Sequence, residues 1–343
     1  MRALARISTG AIERNCARLA SLTPMLCAVV KADGYGHGAI EAARAAQRGG
    51  AQWLAVATAN EAAALRAAGI DGPLLVMGAL SPDELKTALD AEADIIAWRE
   101  DFVAALPKHA RVHLKLDTGM GRLGTRDPKE AERVATVAGD RLVGVMTHFA
   151  TADDDPAFMR EQLERFVPWA DQFGVIRHAA NSAATLAEPA ARLDMSRCGI
   201  AIYGMDPFGR DPVDHQLEPA LQLVSYVAEV KRARPGDSSG YGRRFIADRE
   251  TWIGTIPIGY GDGYRRGLTG SAEVVVGGRR VPLVGTISMD NITVDLGDEP
   301  VERGTEALLI GGGILAEELA DKLGTINYEI TCGLSARVPR VYE

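Results

Sequence analysis

The stretch AVVKADGYGHG, residues 28–38, decides how the chain can fold. It completes an apolar run, residues 25–30, that has the length of a buried β-strand, and it continues into a turn with three glycines. Lys31 stands where this strand ends. If the ε-amino group is buried, its pKa falls and it becomes a nucleophile toward carbonyl groups. If the strand ends at the surface, Lys31 is an ordinary solvated cation.

The segments that follow repeat this arrangement of a short apolar run and an amphipathic helical segment. Eight runs occur, at residues 25–30, 53–57, 74–77, 94–98, 112–116, 142–147, 175–178 and 195–200. The predicted helices between them include residues 60–68, 82–89, 128–137 and 156–173, with Asn60 and Ser81 as N-caps. Strand–helix alternation implies parallel strands, and eight units in about 200 residues predict a (β/α)8 TIM-type barrel. A doubly wound open sheet is the alternative, but its usual GxGxxG is missing after the first run.

The pattern changes near Pro219, where short β-rich runs alternate with Gly, Pro and Asp turns. The predicted strands are residues 221–230, 252–257, 272–276, 281–284, 292–296 and 306–310, with a hairpin at 277–278 and a helix at 315–323. Residues 2–7 alternate like an edge strand of the same sheet. The sequence therefore predicts a barrel of residues 8–220 and a C-terminal β-strand domain of residues 221–343 plus 1–7.

Composition limits the classes of partner. The net charge of −8 is spread along the chain, which disfavours binding to nucleic acid or to an anionic membrane surface. No signal-peptide core and no apolar run of membrane-spanning length occurs. The four cysteines are scattered and are predicted to be reduced thiols of a cytoplasmic protein: Cys16, Cys27, Cys198 and Cys332.

Polar residues follow several of the predicted strands, at the end of the barrel where active sites form. After the seventh and eighth strands, Asn181-Ser182 and Gly199-Ile200 offer a hydroxyl, an amide and backbone N–H groups that suit a phosphate monoester. The alternative is that Ser182 only caps a helix. A reactive lysine together with a phosphate site indicates pyridoxal 5'-phosphate (PLP) as cofactor.

Arg197 bears on the reaction type. An arginine cannot accept a proton, so it would donate to an unprotonated pyridine nitrogen instead of keeping that nitrogen protonated. Such a partner limits electron flow into the ring and suits a racemase better than a transaminase. A histidine at a strand end is either a structural group or a functional one, and we expect His148 and His178 to orient Arg197 and a distant tyrosine. A zinc site would need a third ligand, and no residue near them has that spacing.

In the C-terminal part, Tyr260 lies between glycines in PIGYGDG, residues 257–263. It is either an aromatic residue that covers the core or a phenol that acts as acid and base near cations. Residues 285–290 and 327–329 read as polar interruptions of apolar strands.

Taken together, these residues resemble the alanine racemases, which are PLP enzymes of fold-type III, over nearly the whole chain. The motifs that carry the resemblance occur in the family's order: AVVKADGYGHG, HLKLDTGMGRLG, THFATAD, HAANSAATL, SRCGIAIYG, PIGYGDG, GTISMD and NYEITCGLSARVPRVY. The resemblance implies interconversion of L- and D-alanine by two bases. It also implies a homodimer with both active sites at the interface.

The resemblance implies a role for each site residue. Lys31 is the lysine that bonds to the cofactor and is one base, and Tyr260 from the partner subunit is the opposite base. The phosphate ligands are Tyr35, Ser182, Gly199, Ile200 and Tyr328. Arg197 faces the pyridine nitrogen, with His178 beside it and His148 near the catalytic tyrosine. The remaining residues are Arg122 and the Met289 amide for the substrate carboxylate, a Lys115 that is often carbamylated in the family, and the supporting residues Asn181 and Asp290.

Three alternatives are weighed against this interpretation. A decarboxylase of the same fold type is expected to place an acid at the pyridine nitrogen, where this chain has Arg197. A non-catalytic PLP-binding protein needs only the barrel and no Tyr260 domain. A serine racemase or one of broader specificity stays open, as does the choice between D-alanine supply for peptidoglycan and alanine catabolism.

Overall fold

A computed structural model describes the whole chain, residues 1–343, and separates it into two compact units. The barrel unit comprises residues 10–208 and 213–218, and the β unit comprises residues 1–9, 209–212 and 219–343. After β1 (Leu4–Ile7) of the β unit and α1 (Thr9–Ala20), strands and helices alternate along the barrel unit.

Eight strands of this alternation form one parallel sheet. They are β2 (Leu26–Val29), β3 (Trp53–Val56), β4 (Leu74–Val76), β5 (Asp94–Ala97), β6 (Val112–Lys115), β7 (Leu142–Met146), β8 (Ile176–His178) and β9 (Ser196–Cys198). Consecutive strands pair from β2 to β8 and β9 pairs with β2, so the sheet closes nearly completely into a barrel. The predicted TIM-type fold is confirmed, and each strand lies within one of the predicted apolar runs.

Helices cover the outside of the sheet. They are α3 (Ala39–Arg48), α4 (Ala59–Ala67), α5 (Pro82–Asp90), α6 (Glu100–Ala105), α7 (Pro128–Ala138), α8 (Pro156–Ala170) and α9 (Ser182–Ala187), whereas the segment α2 (Lys31–Tyr35) directly after β2 is a turn with left-handed backbone angles. Ser81 caps α5 as predicted, but the predicted cap of α4 at Asn60 is wrong. Thr58 caps α4, because its hydroxyl accepts the Glu61 N–H and the Glu61 carboxylate accepts the Thr58 N–H.

The barrel strands are buried along almost their whole length, as expected for parallel strands covered on both faces. Their buried side chains are mostly Val, Leu, Ile and Ala. Buried charged or imidazole side chains interrupt this core at five positions: Asp94, His113, Lys115, His178 and Arg197. These residues are therefore candidates for function, since a buried ionisable group is costly unless it has partners.

The β unit contains a nine-stranded, mostly antiparallel sheet and a two-stranded sheet. Its further strands are β10 (Leu221–Tyr226), β11 (Glu229–Ala233), β12 (Ser238–Ser239), β13 (Phe245–Ile246), β14 (Thr251–Ile256), β15 (Glu273–Val276), β16 (Arg279–Val284), β17 (Ile292–Gly297), β18 (Glu306–Ile310) and β19 (Arg340–Tyr342). Two helices, α10 (Ala316–Leu323) and α11 (Asn327–Cys332), precede β19. No helix of either unit combines the length and the apolar character that a membrane crossing requires.

Three predictions for the β unit need correction. The run at residues 221–230 is two strands, β10 and the start of β11. β1 is not an edge strand, because it pairs with β10 on one side and with β19 on the other. Residues 327–329 begin the helix α11 and do not interrupt a strand. The hairpin at residues 277–278 is confirmed as the connection between β15 and β16.

Candidate active site

Lys31 stands at the end of β2 and opens a turn with unusual backbone geometry. The four residues after it all have positive φ, between +51° and +61°: Ala32, Asp33, Gly34 and Tyr35. For residues other than glycine this left-handed conformation costs about 1–2 kcal/mol each. The Glu61 carboxylate accepts the Ala32 N–H at 2.7 Å and so helps to hold the turn. The chain therefore turns back immediately after β2, and Lys31 is half-buried at the carboxyl end of this strand.

A cluster of hydroxyl and amide groups lies at the ends of β8 and β9. The Ser182 hydroxyl accepts the N–H groups of Gly199 at 3.1 Å and of Ala201 at 3.4 Å. A Cβ atom on Gly199 would lie 2.2 Å from the Tyr35 hydroxyl oxygen, so only glycine leaves room for this phenol. Ile200 follows as the first residue of a 3-10 turn. Tyr35, Ser182 and Gly199 thus meet, although they are distant in the sequence.

Asn181 supports this cluster from the start of α9. Its side-chain oxygen accepts the Ala184 N–H at 3.0 Å. Asn181, and not Ser182, is therefore the N-cap of α9. The Ser182 hydroxyl remains directed at the backbone amides of the neighbouring strand end.

Arg197 lies in the middle of β9 and is 3% exposed. Its guanidinium donates to His178 Nδ1 at 2.9 Å and to His148 Nδ1 at 3.2 Å. It also donates to the backbone carbonyls of Thr147 at 2.9 Å and Ala179 at 3.1 Å. Burial lowers the pKa of Arg197 to about 10, which leaves the guanidinium charged at neutral pH.

Both imidazoles beside Arg197 are neutral. Burial, followed by the charge of Arg197, lowers the pKa of His178 and of His148 well below the ordinary value. The charge of Lys31 contributes to the effect on His148. A neutral ring can accept a hydrogen bond from arginine at one nitrogen and donate from the other.

Two further residues of this centre were missed by the sequence analysis. His113 Nδ1 lies 2.8 Å from His178 Nε2, and His113 Nε2 lies 3.2 Å from Asp94 Oδ2. Both residues are almost completely buried. The available signal was a histidine and an aspartate inside apolar runs, but neither stands at the carboxyl end of a strand, where barrel active sites are expected.

Lys115 is the last residue of β6 and is 4% exposed. Burial, followed by the charges of Arg197 and Arg122, lowers the pKa of Lys115 to about 8. Asp117 shapes the loop after β6, because its carboxylate accepts the N–H groups of Gly119 and Gly121 at 3.1 and 3.0 Å. Arg122 is exposed on this loop.

In the β unit, Tyr260 is 42% exposed on a 3-10 turn. The backbone of this turn is hydrogen-bonded to the loop that carries Met289. The Tyr260 N–H donates to the Ser288 carbonyl at 3.1 Å, and the Gly261 N–H donates to the Met289 carbonyl at 2.9 Å. The backbone of the Tyr260 turn and the backbone of the Met289 loop are therefore held next to each other.

A buried carboxylate fixes the Tyr260 turn. Asp262 is 0% exposed and accepts the Gly259 N–H at 2.9 Å. Its carboxylate forms ion pairs with Arg2 and with Arg337. Arg337 also pairs with Asp290 at 2.5 Å. We name Asp262, Asp290, Arg2 and Arg337 the arginine clamp; of these, only Asp290 was predicted as a site residue.

The predicted site residues fall into two groups. The barrel unit carries Lys31, Tyr35, Lys115, Arg122, His148, His178, Asn181, Ser182, Arg197, Gly199 and Ile200. The β unit carries Tyr260, Met289, Asp290 and the half-buried Tyr328 of α11. The barrel group combines cations, neutral imidazoles and converging N–H and O–H donors, which suits a ligand with phosphate and carboxylate groups.

Comparison with known proteins agrees with this geometry. Two family models match, "Alanine racemase, N-terminal domain" over residues 7–207 and "Alanine racemase, C-terminal domain" over residues 220–342. The alanine racemase of Desulfovibrio desulfuricans is 41% identical over 98% of this chain and 97% of its own length. That of Thermobifida fusca is 42% identical over the same shares.

Solved structures give the same result. The alanine racemase of a D-cycloserine-producing Streptomyces lavendulae superposes with a TM-score of 0.93 at 37% identity, over 100% of this chain and 97% of the other. The biosynthetic alanine racemase of Pseudomonas aeruginosa gives a TM-score of 0.91 at 36% identity, over 100% of both chains. On the matched motifs, the shared barrel and this similarity over the full length, the chain belongs to the alanine racemase family.

Proposed function

We propose that the protein is a PLP-dependent isomerase that interconverts L-alanine and D-alanine, with Lys31 and Tyr260 as the two bases. The observation that carries this proposal is the environment of Arg197. Its buried guanidinium is bonded to two neutral imidazoles and two carbonyls, and to no carboxylate. A site that presents a permanent donor to a pyridine nitrogen favours proton exchange at the α-carbon over transamination.

The residues of the barrel unit fit PLP. The hydroxyls of Tyr35 and Ser182 lie beside Gly199, whose N–H donates to Ser182 Oγ, and the close approach of Tyr35 requires glycine at position 199. They would hold the phosphate, together with Ile200 and Tyr328. When bound, PLP supplies an aldehyde that joins to amines and a conjugated ring that accepts electron density from the α-carbon.

The two bases would act on opposite faces of the α-carbon. One residue takes the α-proton from one face, and the other gives a proton to the opposite face, which inverts the configuration. The ε-amino group of Lys31 and the phenol of Tyr260 are groups that can hold a proton in either role. A single base would tend to return the proton to its original face.

The remaining residues bind the substrate. Arg122 and the Met289 N–H would hold the alanine carboxylate, and a charged guanidinium is well suited to this. A carbamate on Lys115 would carry the negative charge that orients Arg122. His148 would lie between Arg197 and the catalytic tyrosine.

The proposal extends to assembly and location. It comprises a homodimer in which Tyr260 of the partner subunit completes each site, and a cytoplasmic enzyme that supplies D-alanine for peptidoglycan or degrades alanine. The proposed domains are a cofactor-binding barrel of residues 8–220 and a β domain of residues 221–343 plus 1–7. Sedimentation equilibrium tests whether the protein is a homodimer, and cell fractionation tests whether it is cytoplasmic.

Chiral product analysis tests the activity. Purified protein is incubated with L-alanine, L-serine, L-lysine and L-arginine, with and without added PLP, and the enantiomers are separated. We expect D-alanine to form fastest and to require PLP. Release of CO2 without inversion would indicate the decarboxylase, cofactor binding without turnover would indicate the non-catalytic protein, and faster inversion of serine would indicate a serine racemase.

A further inference from the structure

A chain of hydrogen bonds runs from Arg197 through the barrel interior to the opposite end of the strands. Arg197 contacts His178 at 2.9 Å, His178 contacts His113 at 2.8 Å, and His113 contacts Asp94 at 3.2 Å. All four residues are at most 4% exposed. Asp94 is the first residue of β5, so it stands far along the strands from their carboxyl ends. We name these residues the imidazole chain.

The donors and acceptors of this chain have only one consistent order. Arginine can only donate, so His178 must offer its bare Nδ1 and carry its hydrogen on Nε2. His178 Nε2–H then donates to His113 Nδ1, which leaves the His113 hydrogen on Nε2. That hydrogen is donated to the Asp94 carboxylate, which can only accept.

The opposite order would bring two donors together. If His178 carried its hydrogen on Nδ1, this N–H would face a guanidinium N–H across 2.9 Å. Burial keeps the pKa of His113 and of His178 below the ordinary value, so neither ring takes a second proton. Each ring therefore carries its one hydrogen on either Nδ1 or Nε2. The Arg197 donor at one end of the chain and the Asp94 acceptor at the other therefore both select this order, and loss of either one weakens the selection.

Packing holds His113 in the place that this order requires. A Cβ atom on Gly144 would lie 2.3 Å from His113 Nδ1, so the ring fills the space that glycine leaves open. The Trp53 ring packs against the His113 ring in an edge-to-face arrangement, with ring centroids 5.4 Å apart. Beyond the ring, Arg111 Nε donates to Asp94 Oδ1 at 2.9 Å, which occupies the second oxygen.

We infer that Asp94 and His113 are positioning residues, which fix the tautomer of His178 and thereby the orientation of the Arg197 guanidinium toward the cofactor. The inference rests on the proposed function, because it gives Arg197 the role of donor to the pyridine nitrogen. Neither residue touches substrate or cofactor. The competing explanation is that the imidazole chain only stabilises the barrel core.

The first measurement uses the protein without cofactor. With 15N-labelled histidine rings, NMR distinguishes protonated from bare ring nitrogens. We expect both His113 and His178 to be protonated at Nε2 in the wild type. In Asp94→Asn, the amide oxygen satisfies either Arg111 or His113 but not both, so we expect the Nδ1-protonated form to appear at both rings.

The second measurement compares turnover with a matched control. Asp206 is a fully buried carboxylate of the barrel unit that contacts His215 Nδ1 at 2.5 Å, so Asp206→Asn disturbs a similar Asp–His pair elsewhere. We expect Asp94→Asn to lower kcat about tenfold, with KM for alanine changed by less than about twofold. We expect kcat of Asp206→Asn to stay within about twofold of the wild type.

Two variants at position 113, His113→Gln and His113→Leu, provide the test if Asp94→Asn fails to fold. Glutamine carries one acceptor and one donor and should preserve the Nε2-protonated form of His178 and most of kcat, whereas His113→Leu should lose both. Wild-type tautomers in Asp94→Asn, or a loss of kcat no larger than in Asp206→Asn, would overturn the inference. Absence of alanine racemisation in the wild type would instead overturn the proposed function.

Discussion

The barrel unit, which carries Lys31, and the β unit, which carries Tyr260, differ in how their buried charges are paired. In the barrel unit, the buried cations Arg197 and Lys115 form no ion pair with a carboxylate, and Arg197 is held by neutral rings and carbonyls. In the β unit, the arginine clamp sets the buried Asp262 against Arg2 and Arg337. Excess positive charge favours an anionic ligand, whereas balanced charge serves to hold a turn in place.

This difference has an energetic side. Burial lowers the pKa of Arg197 to about 10, because the charged form is poorly solvated. Burial and the charges of Arg197 and Arg122 lower the pKa of Lys115 to about 8, although the charge of Asp117 acts in the opposite direction. A bound phosphate or carboxylate would relieve that cost, so ligand binding should stabilise the barrel unit. The arginine clamp contains its own counter-ions and gains no comparable stabilisation from an anion.

The largest effect is expected for Lys31→Ala in the barrel unit. Without the ε-amino group, the cofactor cannot be covalently held and one base is lost, so we expect racemisation to fall by at least about 10³-fold. The visible absorbance of lysine-bound cofactor should disappear as well. The control is Lys86→Ala, which removes an exposed lysine that pairs with Asp90 on α5. Retained absorbance in Lys31→Ala would show that another amine holds the cofactor.

The next effect concerns Tyr260→Phe in the β unit. We expect abstraction of the α-proton to slow by about 10²-fold, mainly from L-alanine, because the phenol is the base on that side only. The two enantiomers have equal free energy, so net racemisation rates hide this asymmetry. Loss of α-deuterium from each labelled enantiomer is the suitable measurement. Tyr342→Phe, at another exposed tyrosine of the β unit, should have no effect.

Wild-type rates with both enantiomers in Tyr260→Phe would contradict the two-base assignment. Equal slowing of both would place Tyr260 in a general binding role instead. In either case the contrast between the two regions would lose its functional meaning, although the difference in charge balance would remain.

A smaller effect tests the arginine clamp itself. Asp262→Asn removes the buried charge that Arg2 and Arg337 share, and we expect the free energy of unfolding to fall by about 3 kcal/mol. We also expect kcat to fall about tenfold, because the Tyr260 turn loses its support. Asp298→Asn removes an exposed carboxylate that lies 3.8 Å from Arg249 and should change stability by less than about 0.5 kcal/mol. Similar unfolding free energies for the two variants would show that the clamp does not hold the turn.

The comparison also shows what the sequence could reveal. Parallel strands that are buried on both faces read as apolar runs, which is why all eight barrel strands were found. The rule that function gathers at strand ends led to Lys31, Ser182 and Arg197. The same rule missed Asp94 and His113, which meet through the register of strands inside the barrel. No local pattern carries that register.

Errors in the β unit have a related cause. The alternation of residues 2–7 predicts an edge strand, whereas β1 has a second neighbour, β19, which comes from the other end of the chain. The arginine clamp has a related origin, since Arg2 and Arg337 come from opposite ends of the chain and both contact Asp262. Long-range pairing therefore limited the prediction in both regions. Local capping signals predicted Ser81 correctly but gave Asn60 in place of Thr58 as the cap of α4.

The smallest effect concerns carbamylation of Lys115. A carbamate would add a negative charge to the barrel unit and so reduce the excess positive charge that distinguishes it from the β unit. Only the neutral amine reacts with CO2, and with a pKa of about 8 its share rises with pH, from about a tenth at pH 7 to about half at pH 8. At fixed dissolved 13CO2, we expect a carbamate signal that grows over this range and activity about twofold above that in CO2-free buffer. Lys115→Ala should lose the signal and the response, whereas Lys86→Ala should keep both. A carbamate signal that persists in Lys115→Ala would place the modification elsewhere, and the barrel centre would then bind its ligands with its full excess of positive charge.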